Sequence, residues 1–485
     1  MTQTITGNGE SAPIKGSEFN FYVDTLTSNA GTESGSFLPR KFIGLSVGSE
    51  STVNVQATGA VQINSTSNGS LYAAEKSTAK INAGSITLSA NSANTSFATV
   101  VTATSDGNVE LQSDSDITIQ NHYQRGGTAI TVNAAGHVSM MAKNTISVLG
   151  SDSQAALKLN QTTAGTFDSP NGAITLTANN IDLHGYVESS VLDQKDTNGI
   201  FLNATESLSI AGNHSYGAIY ATKNSTLGFK AGTLKIENLN TESRSSAVRL
   251  EENSRLQTTL GAGLSTIKGV NGIYTYNGNP QLTILGNAEG TSSLKVQGTW
   301  NGIVGIGGAI TTNDVSLDFD VTREGDLPDG WGINSGQGLV GVLAAGTSKV
   351  QFSNQASAGK TLNVTIDAKT NSVKSSGLNA DRGGELTVSQ FENVVIDVSN
   401  TGVDSSVYGL RSCSGTMRIK DVDTVSVTTN KGDAVYLSSY SNQPDGALEI
   451  SSKNVTLDGS TLGNGLNPKI SDFGAVDDEG KRSIS

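Results

Sequence analysis

Asp318, Asp320, Asp367 and Asp397 lie in segments that alternate apolar and polar residues, and the spacing of the last three would bring them onto neighbouring repeats of one face. Clustered carboxylates of that kind suit general acid–base work on a glycosidic bond. A carboxylate at an outward strand position is, in the ordinary case, a solvated side chain. His122, His137, His184 and His214 occur singly, without a His-Glu-x-x-His pair or any spacing that sets two metal ligands on one strand. Gly-x-Ser-x-Gly and Gly-Asp-Ser-Gly are both missing, so no nucleophilic serine is marked. Gly307-Gly308-Ala309 and Gly383-Gly384-Glu385 lack the Asp that a calcium-binding glycine repeat needs. No metal, cofactor or catalytic set is expected, and binding is favoured over catalysis.

A second pattern suits recognition. A small residue followed by an aliphatic recurs at roughly 25 to 40 residues, as in Ser70-Leu71, Ala129-Ile130, Ala156-Leu157, Gly199-Ile200, Ala218-Ile219, Gly272-Ile273, Gly302-Ile303, Gly338-Leu339 and Ala434-Val435. With the aliphatic turned inward, the residue after it must point outward. That column reads Tyr72, Thr131, Lys158, Phe201, Tyr220, Arg249, Tyr274, Val304, Val340, Asn379, Arg411, Tyr436. Tyr72, Phe201, Tyr220, Arg249, Tyr274, Arg411 and Tyr436 would form an aromatic and basic ridge able to stack on sugars or grip a protein. Aromatics on stacked strands also stabilise the sheet without any ligand. Two places further on, Asn133, Asn160 and Asn203 align and are expected to form an amide ladder, a structural role.

Short strands must position these residues. Val53-Asn54-Val55, Ile86-Thr87-Leu88, Ile117-Thr118-Ile119, Ile174-Thr175-Leu176, Leu282-Thr283-Ile284 and Leu386-Thr387-Val388 keep a strict period of two and end in Gly, Asn, Asp or Ser turns. Three such strands fill one repeat, and stacking the repeats gives parallel sheets about 4.8 Å per step. The expected fold is all-β: a parallel β-helix with three strands per coil, right-handed by the crossover preference, forming one long domain. Residues 1–42 lack the repeat and are expected to be an N-terminal cap. Coils should run over 43–460, with loop insertions at 187–198 and 323–338, the second carrying Trp331 as a loop candidate for binding. Residues 461–485 read as a tail or the start of a further region.

Composition narrows the function. Of 485 residues, 15% are charged, well below the roughly 25% of ordinary soluble domains, and 56 are Gly. The net charge of −13, without a basic run, argues against nucleic acid. The single cysteine, Cys413, precludes an intrachain disulfide and reads as a small buried side chain. Met1-Thr2-Gln3-Thr4 opens neither a signal peptide nor a membrane span, and the chain is expected to be a processed piece of an exported protein.

Irregular β-helical coils, poor in Cys and rich in Gly, Asn, Ser and Thr, with wording such as Gly272-Ile273-Tyr274-Thr275-Tyr276-Asn277-Gly278-Asn279-Pro280-Gln281-Leu282-Thr283-Ile284, resemble the passenger domains of autotransporter (type V secreted) proteins of Gram-negative bacteria. The resemblance covers about residues 43 to 460. It implies an adhesin displayed at the cell surface from an outer-membrane barrel, meeting a host glycan, a matrix protein or a neighbouring bacterium, with a role in virulence. The pectin-lyase-like β-helix is shared by polysaccharide lyases and glycoside hydrolases, which supply the enzymatic alternative. A structural stalk or a self-associating module is the second alternative.

Overall fold

The computed structural model describes residues 2–7, 16–30, 43–48, 50–65, 69–91, 99–122, 127–150, 153–161, 173–191, 199–325, 338–440, 443–459 and 482–483. Among them there is no helix; the chain is a parallel β-solenoid. It divides into two compact units, residues 1–239 and 240–485.

In the first unit three faces repeat. The first stacks Ile43–Val47, Gly69–Ala73, Thr99–Ala103, Thr128–Asn133, Ala155–Gln161, Tyr186–Val191 and Gly217–Lys223 in parallel. The second runs from Glu18–Val23 through Thr52–Ala57, Thr78–Ala83, Asn108–Ser113 and His137–Ala142 to the N-terminal halves of Ala173–His184, Gly199–Gly212 and Thr226–Asn238. The third begins at Thr25–Ala30, which pairs with Thr2–Gly7 and Ala60–Ser65. Parallel stacking therefore already includes residues ahead of Ile43, because Phe19, Phe21 and Leu26 continue the alternation that Val53, Val55 and Val61 carry in the next coil. Inward aliphatics pile up as the period-two pattern requires: Val53 and Val55, Ala79 and Ile81, Val109 and Leu111, Val138 and Met140 are all buried.

The second unit repeats the plan. Its first face stacks Ser246–Glu252, the C-terminal halves of Gly263–Gly278 and Ser292–Gly305, then Leu339–Ala345, Lys374–Asp381, Ser406–Cys413 and Asp433–Ser438. Phe319 and Phe352, both fully buried, meet inside the coils with ring centroids 5.4 Å apart. Lys360, 5% exposed, donates from Nζ to Gly290 O at 2.7 Å and Asp314 O at 2.8 Å, so its buried charge is spent on two backbone carbonyls.

One position of this face admits only the smallest residues. Gly272, Gly302, Gly341, Gly377 and Gly409 follow one another up the stack, and a Cβ on each would lie 2.5–2.7 Å from the carbonyl oxygen of the residue above it. The sixth member is Ala434. Gly-aliphatic pairs are thus the corner where a strand bends so that two coils approach closely.

Candidate binding surface

The outward column of the first unit, traced by register, is Ser46, Tyr72, Thr102, Thr131, Lys158, Glu188, Tyr220. Phe201 does not belong to it. Phe201 stands on the second face between Thr175 and Gly228, and its place in the column is taken by Glu188. The cause lies in Tyr186–Val191, which is a strand of the first face rather than the beginning of an inserted loop; Val187 supplies the inward anchor. The remainder of the expected insertion, residues 192–198, lies outside the described residues. Tyr72 and Tyr220 are five coils apart, about 24 Å along the stack, so they do not form a continuous ridge.

Tyr220 belongs instead to a compact group of rings. His214 stacks on Tyr186 with centroids 4.1 Å apart, Tyr216 stacks on Tyr220 at 5.0 Å, and His214 lies 5.6 Å from Tyr216 and 6.1 Å from Tyr220. The turn that carries His214 and Tyr216 is clamped by the buried Asn238: its Oδ1 accepts from His214 N at 3.2 Å, and its Nδ2 donates to His214 O at 3.0 Å. Tyr216 N donates to His214 Nδ1 at 3.4 Å, which fixes that nitrogen as an acceptor. Burial holds the His214 imidazole below its ordinary pKa, partly offset by Glu188, so the neutral ring is favoured. Burial, helped by Glu188, raises the Tyr186 phenol. Glu188 is itself bridged by Lys158 Nζ at 2.8 Å. Tyr216 remains 43% exposed, so the group offers an open aromatic face beside a charged pair.

In the second unit the column is Arg249, Tyr274, Val304, Leu343, Asn379, Arg411, Tyr436. Val340 is replaced by Leu343, because Gly338-Leu339-Val340-Gly341-Val342-Leu343 offers two Gly-aliphatic pairs and the register uses the second. Arg249 is ion-paired with Glu251 and lies 5.1 Å from the Tyr274 ring, which is also 6.0 Å from Tyr276. Beyond it the column turns dry. Val304, Leu343, Asn379 and Arg411 are all buried, and Tyr274 and Ile306 pack on the Val304–Val340–Leu343–Ala345 cluster. The expected continuous ridge is therefore broken into separate groups: the four rings around His214, Arg249 with Tyr274 and Tyr276, and, past the dry stretch, Tyr408 with Tyr436. Trp331 lies outside the described residues.

Asn133 and Asn160 are register partners, as the ladder requires, whereas Asn203 sits on the second face beside Thr177 and Lys230. A buried ladder exists elsewhere: Asn301 Nδ2 donates to Asn271 Oδ1 at 2.7 Å, and Asn271 Nδ2 donates to Ser245 O at 2.9 Å. Of the carboxylates, Asp318 and Asp320 share Lys295, at 3.3 and 2.9 Å. Burial raises Asp320, but hydrogen bonds and charge from Lys295 outweigh it and the net shift is downward. Asp397 is separated from Asp320 by Thr365 in the same column, and Asp367 lies beside Thr322 and Ser399.

No protein-family model matches the chain, and comparison with curated proteins and with solved structures gives no match. The class defined by the fold is the parallel β-solenoid, consistent with a pectin-lyase-like β-helix.

Proposed function

We propose that this chain is a bacterial surface adhesin segment, displayed outside the cell as an autotransporter passenger, and that it binds a glycan, a matrix protein or a neighbouring cell through aromatic groups on its coils. The observation that carries this reading is the four-ring group of Tyr186, His214, Tyr216 and Tyr220. Aromatic faces next to hydrogen-bonding charges are what a sugar presents itself to, its C–H face on the ring and its hydroxyls on Lys158 and Glu188. The coil geometry supports it, because parallel strands hold the rings rigidly and little side-chain freedom is lost on binding.

Binding without catalysis is the fuller reading. A carbohydrate-active enzyme needs a carboxylate whose proton is available near neutral pH. Asp320 is shifted the other way and shares Lys295 with Asp318. The test is binding of the purified protein to immobilised glycans, matrix proteins and bacterial cells, with Tyr216→Ala/Tyr220→Ala beside the parent, and release of reducing ends or unsaturated uronate followed on the same polysaccharides. Binding that depends on the two tyrosines without product release supports the proposal; turnover, or binding indifferent to the rings, contradicts it.

A further inference from the structure

Arg411 occupies a position that strict alternation turns outward, yet it is 4% exposed. Its Nε and Nη1 are buried and have no hydrogen-bond partner, and it forms no salt bridge among the described residues. A guanidinium is a permanent cation with five donors, and taking it out of water without acceptors is among the costlier things a fold can do. Its neighbours on the stack are uncharged. Asn379, its register partner below, is amide rather than acid, and Tyr436 is its partner above. The Tyr408 ring lies 5.9 Å from the guanidinium carbon and 4.7 Å from the Tyr436 ring. Tyr440 folds back over the strand, its N donating to Ser414 Oγ at 2.9 Å and its hydroxyl to Asp381 Oδ2 at 3.4 Å. Arg382 lies over that ring, 5.1 Å from its centroid. Asp433 and Asp381 are the acidic groups nearby, against Arg411 and Arg382.

We infer that Arg411, with the Tyr408 ring beside it and Tyr436 against that ring, is a binding site for the carboxylate of an acidic sugar. The carboxylate accepts from the two guanidinium N–H groups that have no partner within the chain, and the sugar ring lies against tyrosine. The strand stacked on that of Arg411 is the less covered one: every residue of Asp433–Ser438 is half-buried, and Ser439 is exposed. The site is formed within the second unit and does not depend on the Tyr216–Tyr220 group.

The experiment titrates the full chain with glucuronic acid, N-acetylneuraminic acid and glucose, following binding by calorimetry or ligand-observed NMR, on the parent, Arg411→Met and Tyr436→Ala. The parent should bind at least one acid and not glucose. Which acid binds distinguishes a uronic from a sialic source. Arg411→Met should weaken that binding by about tenfold to a hundredfold, the worth of a charge-assisted pair. Its melting temperature should equal or exceed the parent's, since an unpaired buried charge has been removed. Tyr436→Ala, on a half-exposed strand, should weaken binding while the protein stays folded. Acid binding unaffected by Arg411→Met, glucose binding as well as the acids, or no acid binding by the parent would overturn the assignment; the last, with a lowered melting temperature in Arg411→Met, would make the guanidinium a packing element.

Discussion

Asn301 stands one coil above Asn271, and the two buried side chains are joined amide to amide at 2.7 Å. The chain of bonds continues in both directions. Asn301 Oδ1 accepts from Val340 N at 3.1 Å, and Asn271 Nδ2 reaches Ser245 O at 2.9 Å. Four coils are thereby tied along the stack by side chains that have no access to water, where an unmade hydrogen bond is costly. Asn301→Ala should lower stability by about 1–3 kcal/mol, because both Val340 N and Asn271 Oδ1 lose their partner in a dry site. Asn301→Asp should also destabilise, since a carboxylate cannot donate to Asn271 Oδ1. Denaturant midpoints measure both.

The glycine corner yields a graded prediction. A Cβ on Gly341 would sit 2.6 Å from Gly377 O and overlap Val364 Cγ1, whereas the top of the same series already carries Ala434. Gly341→Ala should cost about 1–3 kcal/mol through forced backbone and core shifts, and Gly341→Val more. Ala434→Gly should be nearly silent by comparison. Thermal denaturation of the three variants ranks them.

His214 gives the pH dependence. Burial depresses its folded-state pKa below the ordinary value of 6.5, so the unfolded chain binds the proton more readily. The stability contributed by the neutral ring is complete above 6.5 and is lost as pH falls from there through the depressed folded value. The aromatic group should loosen over the same interval. Replacing His214 with Gln should flatten the melting temperature between neutral and mildly acidic pH, and the loss of ligand binding on acidification should flatten with it. An identical acid profile in parent and variant would show that another group controls it.

Much of the stack was legible in the sequence. Val-x-Val, Ile-x-Leu and similar pairs read as half-buried strands because inward and outward neighbours differ sharply in polarity, and the Gly-aliphatic anchors mark a real corner. Register was less so. Tyr186-Val187-Glu188 has no small residue before its aliphatic, so Gly199-Ile200 looked like the anchor and Phe201 was set in a column that belongs to Glu188. At Gly338 and Gly341 two Gly-aliphatic pairs compete, and only the pairing of Val342 with Ile303 decides between them. Outward position also proved a poor guide to exposure. Leu343, Asn379 and Arg411 alternate correctly yet are buried, since tertiary covering is invisible to a local period. The Tyr186–His214–Tyr216–Tyr220 group draws from three segments around one turn; its available signal was Tyr216-Gly217-Ala218-Ile219-Tyr220, with tyrosines on either side of an anchor.

The most direct test of the account is retention of the purified protein on a panel of immobilised host glycans and on intact cells, compared between the parent and Tyr216→Ala/Tyr220→Ala after both have been shown to melt alike. These two half-open rings can be removed without touching the aliphatic interior, so the expected result is a folded protein whose retention falls by about tenfold or more. Full retention by the double variant, or no retention by the parent on any surface, would contradict recognition through this face.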